Sequence, residues 1–118
     1  MKLFTSAQYQ KLIKNGKASA AAIAKDGHTP DHVPVIKLFT PDAGATWLIS
    51  ELDADGDTMF ALCDLGQGEP ELGYVSLTEL QSIRGRLRLP VERDRWFTPN
   101  TTLTEYAAAV RMAGRIVA

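Results

Sequence analysis

The spacing of hydrophobic and polar residues changes character three times along this chain. Near the start, Thr5-Ser6-Ala7-Gln8 has the S/T-x-x-E/Q order of a capping box. In such a box Thr5 accepts from the Gln8 amide while the Gln8 side chain reaches back. Phe4 and Tyr9 are spaced as a hydrophobic staple across that start, and Tyr9, Leu12 and Ile13 form one apolar face. Lys11 and Lys14 suit a helix C-terminus, and Asn15-Gly16 offers a cap able to turn left-handed, so the pattern predicts a helix ending near residue 16. Residues 17–25 have high helix propensity, but Ile23 is their only large apolar side chain; a short helix and a loosely packed coil are both open. His28-Thr29-Pro30-Asp31-His32 reads as loop.

From residue 33 the pattern shifts to short β-branched and apolar runs divided by turn residues. Four strands are expected, at 33–40, 46–52, 58–65 and 71–76. Each dividing turn has a chemical cause. Pro41-Asp42-Ala43-Gly44 presets φ and then permits a positive one, Asp55-Gly56 is a strong hairpin signal, and Gly66-Gln67-Gly68 precedes Pro70. Connections this short force antiparallel pairing, because a parallel crossover needs about a dozen residues or more. The pleat places Leu48 and Leu52 on one face and Trp47 and Ile49 on the other, so both faces are expected to be covered by the terminal helices.

The helical period then returns. Ser76-Leu77-Thr78-Glu79 is a second capping box, opening a short helix near 77–83. Residues 86–99, with Pro90 and Pro99, read as extended. Thr102-Leu103-Thr104-Glu105 opens a last helix near 102–115, whose interior Gly114 costs about 1 kcal/mol against Ala and predicts a frayed final turn. The expected architecture is α+β: an antiparallel β-meander of about four strands over 33–76, flanked by these helices, in a single domain spanning 1–118.

Composition changes this picture little. A chain of 118 residues buries roughly 65% of its unfolded surface and needs no metal or disulfide to fold. The net charge of −1 gives no global argument for nucleic acid or for an anionic membrane. Cys63 is the only cysteine, which fits a reducing compartment, and its apolar run favours a small buried hydrophobe over a reactive thiol. Met1–Gln8 carries positive charge without an apolar run behind it, so no signal peptide is expected, and no stretch has membrane-spanning length. The cytoplasm is the expected compartment.

Candidate chemistry is sparse. Asp53, Asp55 and Asp57 surround Gly56 in the wrong order for a calcium loop, so an acidic turn is the simpler reading. His28 and His32 have zinc spacing only on a helix, and Pro30 lies between them. Gly-x-Ser-x-Gly and His-Glu-x-x-His are both absent, and no cofactor or metal is expected. The most pointed stretch runs from Arg84 to Phe97. If it is extended, Arg86 and Arg88 share a face with Arg84 nearby, and together with Arg95 and Trp96 they could meet nucleic acid. The competing reading pairs Arg93 and Arg95 with Glu92, Asp94, Glu51 or Asp64, and packs Trp96 and Phe97 in the core. The near-neutral charge favours the internal pairing.

The runs Val35–Ala43, Thr46-Trp47-Leu48, Glu51-Leu52-Asp53, Phe60–Gly66, Glu71–Leu77, Glu79-Leu80 and Glu92-Arg93-Asp94 resemble the bacterial DUF2958 family, a domain of unknown function often carried on plasmids and integrating conjugative elements. The likeness covers residues 33–97. Against the family pattern, Ala61 stands where Gly is usual, and Arg86 and Arg88 stand where Pro and Gly are usual. The resemblance supplies no activity. It directs attention to Trp47, Glu51, Asp64, Glu92, Arg93 and Asp94 as a shared polar site. The expectation is a small non-enzymatic binding or accessory protein with a protein partner. The alternatives are a nucleic-acid-binding domain using Arg84, Arg86, Arg88 and Arg95, and an enzyme using strand carboxylates.

Overall fold

The computed structural model describes residues 3–118. Helix α1 (Ser6–Lys25) precedes strands β1 (Ile36–Phe39), β2 (Thr46–Leu52), β3 (Thr58–Asp64) and β4 (Glu71–Ser76). Helix α2 (Leu77–Ser82), strand β5 (Glu92–Arg93) and helix α3 (Leu103–Ala113) complete the order. The strands form one antiparallel sheet in the order β4-β3-β2-β1-β5. The α+β class and the meander agree with the sequence reading. Strand β5 adds a fifth member from the stretch expected only to be extended, and two residues are too few to show a period. The signal-peptide reading rests partly on Met1 and Lys2, which lie outside the described residues. Among the described residues no helix is long and apolar enough to cross a membrane.

The N-terminal capping box forms with both reciprocal bonds, and the Phe4 and Tyr9 rings stack with centroids 5.8 Å apart. The helix does not stop at Gly16, however. Its buried stripe is Leu12, Gly16 and Ser19, at the i, i+4, i+7 spacing of one helix face. At Gly16 the helix backbone lies against the Leu52 carbonyl, so closely that a Cβ would collide with it. Strand β1 pairs with β2 only as far as Ile49. Beyond that point α1 lies along the edge of β2, and the Asn15 side chain donates to the Ser50 carbonyl at 2.9 Å. Gly16 therefore permits a close crossing and does not end the helix, and α1 covers a strand edge that would otherwise stand open.

Strand β2 carries a register shift between Ile49 and Glu51. One extra residue reverses the faces of everything after it. Leu52 therefore joins Trp47 and Ile49, and does not join Leu48 as strict alternation predicted. That face forms a core with Leu12, Ile36, Leu38, Met59, Leu80 and Val91. On the opposite face Leu48 and Leu62 pack against Leu103, Tyr106, Ala107 and Val110 of α3. Each fully buried Leu contributes about 2 kcal/mol, which holds the helices to the sheet.

The turns use their polar groups locally. Asp55 accepts from the Asp57 and Thr58 amides and the Thr58 hydroxyl, and Gly56 supplies φ +73. The Thr58 side chain, then those amides, hold the Asp55 carboxyl below its ordinary pKa. Asp57 accepts from the Thr78 amide and hydroxyl and from the Ser76 hydroxyl, which ties this turn to the start of α2. The Thr78 amide leads in lowering the Asp57 pKa. Gly114 is the left-handed C-cap of α3 at φ 73, so it terminates the helix and is not an interior fault.

Candidate functional site

The two strand carboxylates lie at opposite ends of the β2–β3 ladder. Asp64 stands opposite Thr46, and Glu51 stands opposite Phe60. Five residues of β2 separate the two rows, roughly 16 Å at strand rise. Asp64 is 5% exposed. One of its oxygens accepts from the Gly66 amide and the other from the Ile116 amide, both at 2.9 Å. It secures the β3–β4 turn and the segment after α3. Trp47 is a core residue at 3% exposure. Neighbouring Cys63 is half-buried, and burial first, then the Glu71 charge, push its thiol up to about 11, so it stays protonated at neutral pH.

The Arg-rich stretch is not one extended face. Residues 84–90 close into a tight loop, with Arg84 bridged to Pro90 and the Arg88 amide bonded to the Gly85 carbonyl. Asp42 holds the loop from within, accepting from the Leu87 amide at 2.6 Å and the Leu89 amide at 3.3 Å. Gly85 lies so close to this carboxylate that a Cβ there would overlap it. The other Asp42 oxygen is buried without a partner among the described residues. Arg88 takes φ 62, a left-handed conformation that favours glycine over a residue with a Cβ. Arg86 and Arg88 thus flank an exposed loop tip. The expected shared strand face does not form.

Arg84 donates to the Gln81 and Ile83 carbonyls. Glu92 and Arg93 pair with Phe39 and Leu38 of β1. Asp94 accepts from the Trp96 amide at 2.8 Å and lies 3.5 Å from Lys37 Nζ. Among the described residues neither Arg93 nor Arg95 forms an ion pair with an acid. Trp96 is 91% exposed, whereas Phe97 packs against the α3 cluster. Because β5 runs antiparallel to β1, Arg95 and Trp96 lie beyond the start of β1 while the Arg86–Arg88 tip lies beyond its end. The two groups therefore lie toward opposite ends of β1.

Glu51, by contrast, faces a cleft. The bulge in β2 turns its side chain toward the α3 face, in one cross-strand row with Phe60 and Tyr74. The Phe60 and Tyr74 rings are 5.1 Å apart at an interplanar angle of 58°. Two adjoining lobes, of about 200 Å³ and about 80 Å³, share Ile23, Glu51, Phe60 and Tyr74. Tyr74 is 69% exposed and Ile23 59%. The far wall is the 31–32 segment, which docks on α3: Asp31 accepts from the Thr104 amide, and the His32 carbonyl accepts from the Leu103 amide. Partial burial opposes ionisation of Asp31, but bonds from Thr102 and Thr104 and the nearby His32 outweigh it, so its pKa is lowered.

Ser19, His32 and Glu51 meet at the cleft floor. The Ser19 hydroxyl donates to Glu51 Oε2 at 2.7 Å. His32 Nε2 lies 3.3 Å from Ser19 Oγ and 3.7 Å from Glu51 Oε2. A serine-histidine-acid relay places the imidazole between hydroxyl and carboxylate, with one ring nitrogen for each. Here one nitrogen meets both, and the buried Ser19 hydroxyl donates directly to the acid. The arrangement orients Glu51 and does not activate Ser19. His28 points elsewhere, toward Asp26 at 3.7 Å. Among the described residues no group of three or more His, Cys, Asp or Glu side chains is placed to hold a metal.

Sequence reasoning found Glu51 but missed Ser19 and His32 as its partners. The i, i+4, i+7 spacing of Leu12, Gly16 and Ser19 was the available signal for Ser19. Nothing in the sequence marks the bulge that aims Glu51.

A family model described as a protein of unknown function, DUF2958, matches residues 3–117, and the chain belongs to that family. The match includes α1 and α3, beyond the 33–97 stretch that carried the resemblance. No curated protein and no solved structure matches the chain.

Proposed function

We propose that this family member acts as one non-enzymatic binding domain in the cytoplasm, an accessory protein of a bacterial mobile element that works through a protein partner. The partner docks on the free edge of β4 and the cleft beside it. The observation that carries this reading is the exposure of Tyr74 and Leu72 on the edge strand, beside Ile23 and the half-buried Phe60. Strand β4 is six residues long and, among the described residues, pairs only with β3. Such an edge accepts an extended segment by strand addition, with neighbouring pockets giving specificity. The Ser19-His32-Glu51 geometry supports binding over hydrolysis for the reasons given above. The test uses the full chain and its Tyr74→Ala variant as matched baits against host extract. A protein recovered reproducibly by the parent and lost with Tyr74→Ala supports the reading; identical recovery by both baits overturns it.

A second reading, nucleic-acid binding, draws support from the exposed Arg84–Arg88 loop. The distance of Arg95 and Trp96 from that loop weighs against a continuous track. Binding to single- or double-stranded nucleic acid at low salt, weakened by joint Arg86→Ala and Arg88→Ala substitution, would favour it. Unchanged binding in that double variant would remove it.

A further inference from the structure

We infer that the Glu51 cleft receives one cationic side chain, an arginine or lysine, from the protein partner. The inference rests on the proposed protein-binding role and assigns it a chemistry. Three observations converge. First, charge: Asp31, Glu51 and Asp53 line the two lobes together with His32, and among the described residues no Lys or Arg lines either. Second, Glu51 is held ready. Its Oε2 is fixed by Ser19, while among the described residues its Oε1 has no hydrogen-bond partner. Third, the row Glu51–Phe60–Tyr74 sets two aromatic rings beside that carboxylate, about 5 and 10 Å away at strand spacing. A cation lying over these rings gains from their π-faces while its N–H groups reach the free oxygen.

Size narrows the occupant further. The larger lobe, about 200 Å³, is smaller than the ~300–1,000 Å³ typical of drug-sized ligand sites. It suits one long side chain better than a cofactor. The exposed Leu72 and Tyr74 line the same cleft from β4, so a partner segment seated over this face can lay one long side chain across the two rings toward Glu51.

The test is a solution NMR titration of the full chain with three blocked amino acids: N-acetyl-arginine methylamide, N-acetyl-lysine methylamide and N-acetyl-citrulline methylamide. Citrulline keeps the shape of arginine without its charge. Saturable shifts at Glu51, Phe60 and Tyr74 are expected with the arginine probe, the lysine probe or both, and which of them binds identifies the side chain. Affinity is expected to fall at least about tenfold with citrulline and with Glu51→Gln, the loss of one charge-assisted hydrogen bond. Tyr74→Ala, at an exposed position, is expected to weaken binding without unfolding. Equal shifts from citrulline, shifts centred elsewhere, or no saturable shift with either cation would overturn the inference. Partner capture that depends on Tyr74 but is indifferent to Glu51→Gln would leave the protein-binding reading intact and overturn this one.

Discussion

Asp64 and Glu51 are both acids on neighbouring central strands, and their surroundings give them opposite roles. Asp64 is buried, and each oxygen takes a backbone amide from a different segment, Gly66 on one side and Ile116 on the other. Removing it leaves two donors without a partner. Glu51 is held by side chains alone, Ser19 and His32, and its other oxygen has no hydrogen-bond partner among the described residues. A carboxylate with both oxygens bonded to backbone builds the fold. A carboxylate fixed by one oxygen in an aromatic-lined cleft keeps a free acceptor there. Residue type and strand position do not distinguish the two; the hydrogen-bond partners do.

The largest expected effect breaks the Glu51 end outright. Gly16→Ala drives a Cβ into the Leu52 carbonyl and should cost about 2–3 kcal/mol despite the better helix propensity of Ala, read from urea unfolding. The same displacement should part Ser19 from Glu51.

The limits of β2 and β4 were legible because β-branched and apolar runs end at turn residues with definite φ requirements. The face of Leu52 and the aim of Glu51 were not, because one inserted residue at the bulge is invisible to periodicity. Asn15-Gly16 misled for a related reason: glycine serves both left-handed caps and close crossings, and only the neighbouring Leu52 carbonyl decides between them. Trp96 was expected in the core under the reading that paired the arginines internally, and it is exposed.

A smaller effect is expected with acid. The Asp57 pKa is lowered by bonds that exist only in the folded chain, so its stabilisation is complete above the ordinary carboxylate value of 3.8 and is lost as pH falls below it. Melting temperature measured down to about pH 3 should therefore drop less steeply in Asp57→Asn than in the parent. A parallel acid limb in both proteins would show that Asp57 contributes nothing to pH dependence.

At the Asp64 end, the raised Cys63 pKa predicts slow alkylation. Iodoacetamide at pH 8 should modify it at least about tenfold more slowly than an unfolded cysteine peptide. The smallest expected effect on stability is at the loop that lies outside both ends. Arg88→Gly relieves a left-handed φ and should stabilise by about 0.5 kcal/mol, because the gain is partly offset by a more flexible unfolded chain.

The most direct test sets the two carboxylates side by side. Urea unfolding of Asp64→Ala and Glu51→Ala should give a loss of about 2–3 kcal/mol for the first, which removes a buried carboxylate and the bonds it takes from two backbone amides, and less than about 1 kcal/mol for the second. Equal losses, or a larger loss for Glu51→Ala, would contradict the division between a structural acid and one kept for a ligand.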